Sequence, residues 1–184
     1  MTKGGGMAEA NERTSGGVAF REDLLVTDTF LFLGTVEGKV QRLSRLLEDR
    51  PPFLSLRSAS RVDLETGEEV DSPQFLVGLE QVVLAHEFVD LSGDEGWKML
   101  SRERELARIQ AETRGAFRFR LTGLIPREDL APPLLEERSL FVLRDPEIRV
   151  RPGSPERVRA LLGNLSYVLL RKPWVSHLFG LGPA

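Results

Sequence analysis

The segment Leu46-Leu47-Glu48-Asp49-Arg50 recurs 88 residues later, with one conservative change, as Leu134-Leu135-Glu136-Glu137-Arg138. Further identities follow without a gap at the same spacing: Phe53 with Phe141, and Arg61-Val62 with Arg149-Val150. Beyond them the spacing falls to 85, which aligns Leu76 with Leu161, Gly78 with Gly163, and Val83-Leu84 with Val168-Leu169. Self-similarity at a nearly fixed spacing is the signature of an internal repeat. The chain is therefore predicted to hold two divergent copies of one structural unit.

Each predicted copy opens with a strand. In residues 116–125 apolar and polar side chains alternate, from Phe117 and Arg118 to Leu121 and Thr122, and residues 27–36 are their counterpart. A period of two is typical of a strand with one buried face and one exposed face. A leucine-rich turn or short helix, a second strand and a bent third stretch follow in each copy. In the first copy these lie at residues 40–48, 53–64 and 74–89.

The residues between the copies predict a connecting helix. Asp94 is a suitable N-cap, Gly115 is a suitable C-cap, and Arg108 stands at helical spacing from Glu105 and Glu112. The expected class is mainly β with minor α: two tandem small β-barrels or half-barrels, or one shared sandwich, joined by this helix. The expected organisation is a disordered tail at 1–20, repeat 1 at 21–92, the helix at 93–115, repeat 2 at 116–177 and a C-terminal tail at 178–184.

Composition excludes several classes of function. The chain has 184 residues, a net charge of −3, no cysteine and two histidines. Without cysteine there are no disulfides, no thiolate catalysis and no cysteine-ligated metal. No apolar run is long enough for a signal peptide or a membrane span, so a cytoplasmic protein that does not bind membranes is expected.

Charge is unevenly distributed along the chain. Residues 1–92 hold 9 basic and 16 acidic side chains, a net charge of −7, whereas residues 93–184 hold 16 basic and 12 acidic ones, a net charge of +4. This asymmetry favours head-to-tail association of copies or a polar partner surface.

The repeat resembles small bacterial β-domains of unknown function, here in tandem duplicate. The first copy carries the resemblance in four segments, Phe32-Leu33-Gly34-Thr35-Val36, Arg42-Leu43-Ser44-Arg45-Leu46-Leu47, Phe53-Leu54-Ser55-Leu56 and Phe75-Leu76-Val77-Gly78. Arg45 and Glu48 depart from the polar residues usual in that turn. The outline is also similar to Sm-type barrels in its number of strands. The resemblance implies a small β fold and no assigned chemistry.

No residues converge on catalysis or on a metal. The acidic residues 63–71 lack the glutamate that a calcium loop needs at its twelfth position, where Gln74 stands, and are interpreted as a solvated turn. Arg57 and Arg61 have the spacing of PilZ-type receptors for cyclic dinucleotides, but the downstream Asp/Asn-x-Ser-x-x-Gly element is missing. His86 is interpreted as an exposed strand residue. The chain is therefore predicted not to be an enzyme and to need no cofactor.

The leading hypothesis is a non-enzymatic protein-interaction or scaffold module, a subunit of a larger bacterial assembly. It binds a protein partner or a second copy of itself. The alternative is a small β-barrel protein that binds nucleic acid through its basic second copy. The candidate partner-binding residues are Arg149, Arg151, Arg157, Arg159, Trp174, Leu178 and Phe179.

Overall fold

Ten antiparallel strands form one continuous sheet, in agreement with the predicted mainly β class. The computed structural model describes residues 22–39, 42–49, 51–88, 105–132 and 134–183. The strands are β1 (Asp23–Val26), β2 (Phe30–Val36), β3 (Phe53–Asp63), β4 (Glu69–Gly78), β5 (Leu84–Glu87), β6 (Leu106–Thr113), β7 (Arg120–Pro126), β8 (Leu140–Arg149), β9 (Tyr167–Arg171) and β10 (Val175–Pro183). The described helices are α1 (Leu43–Asp49), α2 (Leu134–Glu137) and α3 (Glu156–Leu162), with 3₁₀ helices at Leu79–Gln81, Arg127–Leu130 and Lys172–Trp174.

The order of strands divides the sheet into two halves. It runs β10-β6-β7-β8-β9 and then β5-β1-β2-β3-β4, and the sheet is not closed into a barrel. The halves meet where β9 pairs with β5, with Leu84 opposite Leu170 and Ala85 opposite Leu169. We call this pairing the seam. The two strands at the ends of the order, β4 and β10, each pair with a single described neighbour.

The two halves share their buried interior. One apolar cluster joins Leu24 and Leu31 of the first half to Ile109 and Phe117 of the second. A second cluster belongs mainly to the first half, around α1, but includes Leu169 and two further residues of the second. Burying these side chains removes apolar surface of both halves from water at once, so each half stabilises the other.

The predicted connecting helix is wrong where the structure describes it. Residues 106–113 form β6, between β10 and β7, and residues 93–104 lie outside the described residues. Ala107, Ile109 and Ala111 are buried, while the residues between them are more exposed. This alternation has a period of two, and it overrides the helical spacing of the charged residues because packing of the apolar face is the stronger effect.

Two further expectations need correction. Residues 178–183, predicted as a tail, belong to β10, whose Leu178 lies opposite Ala111 of β6. Among the ten described strands, no separate closed barrel forms, because β9 continues the sheet into β5. The predicted N-terminal tail at 1–20 lies outside the described residues. In the described part of the chain, no helix combines the length and the apolar character that crossing a bilayer requires.

A bulge bends the sheet at one place in each half. In β3 the bulged residue is Ser58, opposite Gly34 of β2, and in β8 it is Asp145, opposite Gly123 of β7. Ser58 and Asp145 both have φ of 46°, a left-handed conformation. The two glycines leave room for the close approach of the neighbouring strand.

Candidate functional site

The two ends of the sheet are the first candidate site. β4 pairs with β3, and β10 pairs with β6, so each offers its other side to a partner. We call them the β4 edge (residues 69–78) and the β10 edge (residues 175–183). An edge strand presents unpaired N–H and C=O groups and is a template for another strand.

Exposed apolar side chains are concentrated on these edges. Four of the six large hydrophobic residues that are exposed in the described chain lie there: Val70, Leu76, Phe179 and Leu181. Phe53 lies beside the β4 edge, opposite Gly78, and Phe88 lies elsewhere. Charge and proline usually protect an edge strand, and the first half of β4 carries Glu69, Asp71 and Pro73. The second half of β4 carries the exposed Leu76 instead, and an edge with exposed apolar side chains is typical of an interaction surface.

Leu76 on the β4 edge has a buried counterpart at the seam. Leu76 lies three residues before the 3₁₀ helix Leu79–Gln81, and Leu169 lies three residues before the 3₁₀ helix Lys172–Trp174. Leu76 is 67% exposed, whereas Leu169, which β5 covers, is 2% exposed. The seam therefore shows how a partner strand buries a leucine at this place.

A cleft of about 600 Å³ adjoins the β10 edge. Ser176 and His177 of β10 form part of its lining. We call it the arginine cleft because five arginines line it: Arg114, Arg118, Arg120, Arg149 and Arg151. Carboxylates hold several of these side chains: Arg120 pairs with Glu112 at 2.9 Å, Arg149 with Glu147 at 2.9 Å, and Arg151 with Glu65 at 3.0 Å.

The structure brings only part of the predicted partner surface together. Arg149 and Arg151 line the arginine cleft, and Leu178 and Phe179 lie on the neighbouring β10 edge. Leu178 is half-buried against the core, and Phe179 is exposed. Of the predicted residues, only Arg149 and Arg151 line the same cleft, whereas Leu178 and Phe179 follow its lining residues Ser176 and His177 along β10.

The remaining predicted residues make contacts within the chain or lie on α3. Arg157 on α3 pairs with Glu69 of β4 at 3.2 Å, and Trp174 donates through Nε1 to the carbonyl oxygen of Glu80 at 2.9 Å. Arg159 is exposed on α3. Trp174 and Arg157 thus connect the two halves of the chain.

A buried ionic cluster was missed in the sequence. Lys39 lies 2.6 Å from Asp23 and 3.2 Å from Glu87, and Arg42 lies 3.2 Å from Glu87. The backbone N–H of Val36 donates to Asp23 at 2.8 Å. The cluster ties β1 and β5 to the segment before α1. Its members are far apart in sequence, so only the sheet register brings them together.

Burial and the neighbouring charges shift the pKa values of Asp23 and Lys39 in the cluster. Burial raises the pKa of Asp23 and outweighs its hydrogen bonds with Lys39 and Val36, which act in the opposite direction. Burial acts against the charge of Lys39, but its hydrogen bond to Asp23 and the nearby carboxylates prevail and raise its pKa. Such a cluster stabilises the charged lysine and fixes the strands around it.

His86 is buried at the seam, so its interpretation as an exposed strand residue was wrong. Its ring lies 4.6 Å from the ring of Tyr167, and Nδ1 lies 2.8 Å from the carbonyl oxygen of Tyr167. A carbonyl oxygen only accepts, so Nδ1 carries the donated proton. Burial lowers the pKa of His86 and raises the pKa of Tyr167. A neutral imidazole that joins β5 to β9 is a structural element of the seam.

No protein-family model, curated protein or solved structure matches the chain. Within the described ranges, no three His, Asp or Glu side chains form a group that could hold a metal ion. The two sheet edges and the arginine cleft are the candidate sites for binding a partner.

Proposed function

We propose that the chain is a tandem of two copies of one five-stranded unit. Its support is the order of strands, because β5-β1-β2-β3-β4 and β10-β6-β7-β8-β9 follow the same path. In each half a helix separates the second and third strands, the third strand has a bulge with φ of 46°, and a 3₁₀ helix separates the last two strands. The matched leucines Leu46-Leu47 and Leu134-Leu135 fall in the corresponding helices α1 and α2.

The function of this tandem is that of a non-enzymatic interaction or scaffold module that binds by strand addition. The observation that carries this proposal is the concentration of exposed apolar side chains on the β4 and β10 edges. In strand addition, main-chain hydrogen bonds supply affinity, and the alternating side chains supply specificity. Two different edges on one chain allow it to connect two partners in an assembly.

Binding of nucleic acid is the second candidate. The arginine cleft favours it, since five arginines on one surface can neutralise several phosphates. However, Arg149, Arg151 and Arg157 are each paired with a carboxylate of the chain. A phosphate backbone would have to displace these carboxylates, so this candidate ranks below strand addition.

The test is affinity capture from a cell lysate at low salt, with and without nuclease. The bait is the tagged full chain, compared with the double variant Leu76→Lys/Phe179→Lys, which places a charge on each edge. We expect the wild type to retain a stoichiometric protein, whether foreign or a second copy of the chain, that the double variant loses. Nuclease-sensitive nucleic acid retained by both baits would favour the second candidate. A protein retained equally by both baits, or no retained macromolecule, would overturn strand addition.

A further inference from the structure

We propose that the partner of the edges is a second copy of this chain, joined head to tail, with β10 of one copy antiparallel to β4 of the next. This inference rests on the proposed function, since it names the partner of the same two edges. The seam is a junction of the same type within one chain.

The seam gives the register of the proposed junction. In the first half the 3₁₀ helix Leu79–Gln81 precedes β5, and in the second half the 3₁₀ helix Lys172–Trp174 precedes β10. Counted from these helices, Ala85 corresponds to Leu178, and Leu169 corresponds to Leu76. Because Ala85 lies opposite Leu169 at the seam, Leu178 of one copy lies opposite Leu76 of the next.

Burial is consistent with this register. Leu169 is covered at the seam, whereas Leu76 is exposed on the free edge. Phe179, next to Leu178, is also exposed. The junction would remove the apolar side chains of both edges from water, which is the condition for a stable strand pairing between chains.

The charge distribution along the chain favours head-to-tail pairing over a symmetric pairing of two copies. At a head-to-tail junction the first half of one copy, in the part of the chain with a net charge of −7, meets the second half of the next, in the part with +4. Pairing β4 with another β4 would instead bring together the two parts of the chain that each carry a net charge of −7. The arginine cleft adjoins β10, so positive charge of the second half lies beside the strand that would meet β4.

Ion pairs between the two halves of one chain show the type of contact expected around the paired strands. Arg151 and Arg157 of the second half pair with Glu65 and Glu69 of the first. Arg118 and Arg120 also line the arginine cleft, and Arg120 lies on β7. Contacts of the same kind, arginine of the second half to carboxylate of the first, are expected between copies.

The experiment is a complementation test on the full chain. Leu76→Lys blocks the β4 edge, and Phe179→Lys blocks the β10 edge, while Phe88→Lys places the same charge on an exposed apolar residue outside both edges. Light scattering after size exclusion and native mass spectrometry measure the mass of each. We expect the wild type and Phe88→Lys to form multiples of 20.6 kDa. Each edge variant alone is expected to be a monomer, with a dissociation constant raised at least ~10-fold.

Mixing the two edge variants distinguishes the arrangements. Each variant keeps one intact edge, so we expect a one-to-one dimer that does not grow further. Because the chain has no cysteine, Leu76→Cys mixed with Leu178→Cys reports the register. We expect this pair to form a disulfide at least ~10-fold faster than Leu76→Cys mixed with Phe88→Cys, since opposite Cα atoms in an antiparallel pair lie about 5 Å apart.

Three outcomes would overturn the inference. The first is a monomeric wild type at high concentration, and the second is a self-association that survives in either edge variant alone, because a symmetric pairing would then be responsible. The third is a mixture that stays monomeric. A monomeric wild type that still captures a foreign protein through its edges removes only this inference. A monomer that captures nothing removes the proposed function as well.

Discussion

Gly34 shows how closely the strands approach at the bulge. A Cβ atom on Gly34 would lie 2.7 Å from the Cβ of Ala59 and 3.0 Å from the carbonyl oxygen of Arg57. We expect Gly34→Ala to lower the free energy of unfolding by about 1–3 kcal/mol, because β3 must move away from β2. Urea unfolding followed by circular dichroism measures the change.

The matched control for Gly34 is Gly78→Ala. At Gly78 the nearest atom to a new Cβ is 3.6 Å away, and φ is −60°, which alanine adopts without strain. We expect this variant to change the free energy of unfolding by less than about 0.5 kcal/mol. Equal losses in the two glycine variants would show that crowding at the bulge is not the cause.

Glu87 is the residue on which the buried ionic cluster depends. Its carboxylate contacts Lys39 and Arg42 and accepts from the backbone N–H of Leu43 at 3.1 Å. We expect Glu87→Ala to lower the free energy of unfolding by about 1–3 kcal/mol, because Lys39 and Arg42 lose one carboxylate and the buried N–H of Leu43 loses its acceptor. Glu147→Ala, which removes an exposed pair with Arg149, is the control and should cost less than about 1 kcal/mol.

His86 makes stability depend on pH. Its pKa is lowered below the ordinary 6.5, so protons bind the unfolded chain more readily than the folded one. The contribution of His86 to stability is fully present above pH 6.5 and is lost as the pH falls through its lowered pKa. We expect the free energy of unfolding to decline between pH 7.5 and 5, with a slope of at most about 1.4 kcal/mol per pH unit.

The variant His86→Asn isolates this effect. Asp23, whose raised pKa lies above 3.8, acts in the opposite sense, since its contribution is present below pH 3.8 and lost as the pH rises. The difference in slope between wild type and His86→Asn therefore reports the histidine alone. His177→Asn, at an exposed position, should retain the slope of the wild type. An unchanged slope in His86→Asn would contradict the assignment.

At the scale of elements, β10 is the strand whose removal is most informative. It pairs with β6 from Val175 to Pro183, and its Leu178 packs on the core. We expect a chain that ends at Trp174 to lose several kcal/mol of stability, because Ile109 and Ala111 of β6 then lie on an edge strand. Urea unfolding of this truncated chain measures the loss.

A chain that ends at Gly180 is the control for this truncation. It keeps the pairs from Val175 to Gly180 and loses only the last pair, between Pro183 and Ala107. We expect it to retain most of the stability of the full chain. If both truncated chains were as stable as the full chain, residues 175–183 would act as the tail that the sequence predicted.

The sequence predicted elements well where one pattern dominated. The alternation after Phe117 correctly indicated β7, and the matched leucines both fall in helices. β6 was missed because its charged residues also satisfy a helical spacing. The alignment at a spacing of 85 is wrong, since Leu161 lies in α3 whereas Leu76 lies in β4.

The candidate site was less predictable than the elements. Phe179, Arg149 and Arg151 were proposed from their chemistry; Arg149 and Arg151 line the arginine cleft, and Phe179 lies on β10. Leu76 was not, because a leucine in an apolar strand is usually a core residue, and only the order of strands shows that β4 ends the sheet. The ionic cluster likewise needed the register of three strands.

For the whole molecule, the seam predicts a single unfolding transition. The shared apolar clusters and the β9–β5 pairing connect the halves, so neither retains its core alone. We expect Leu170→Asp, which places a charge in the buried seam, to lower the unfolding midpoint of signals from both halves together. In a Trp97→Phe background, the fluorescence of Trp174 reports the second half, and the fluorescence of a probe at Ser58→Cys reports the first.

Leu76→Asp is the control for the seam variant, since it places the same charge on an exposed strand position. At a protein concentration at which the chain is monomeric, it should leave the unfolding midpoint nearly unchanged. Two separate transitions in the wild type, one for each signal, would contradict the shared core.

The pairing of β9 with β5 lies within one chain, so it does not depend on the concentration of the protein, whereas a pairing between chains does. This pairing forms at an effective concentration fixed by the covalent connection, on the order of millimolar for short linkers, so dilution does not weaken it. A pairing of β10 with β4 between chains follows the amount of protein present. Under the proposed head-to-tail pairing, the cellular level of the protein determines whether single chains or longer arrays exist, and a modest change in expression controls assembly.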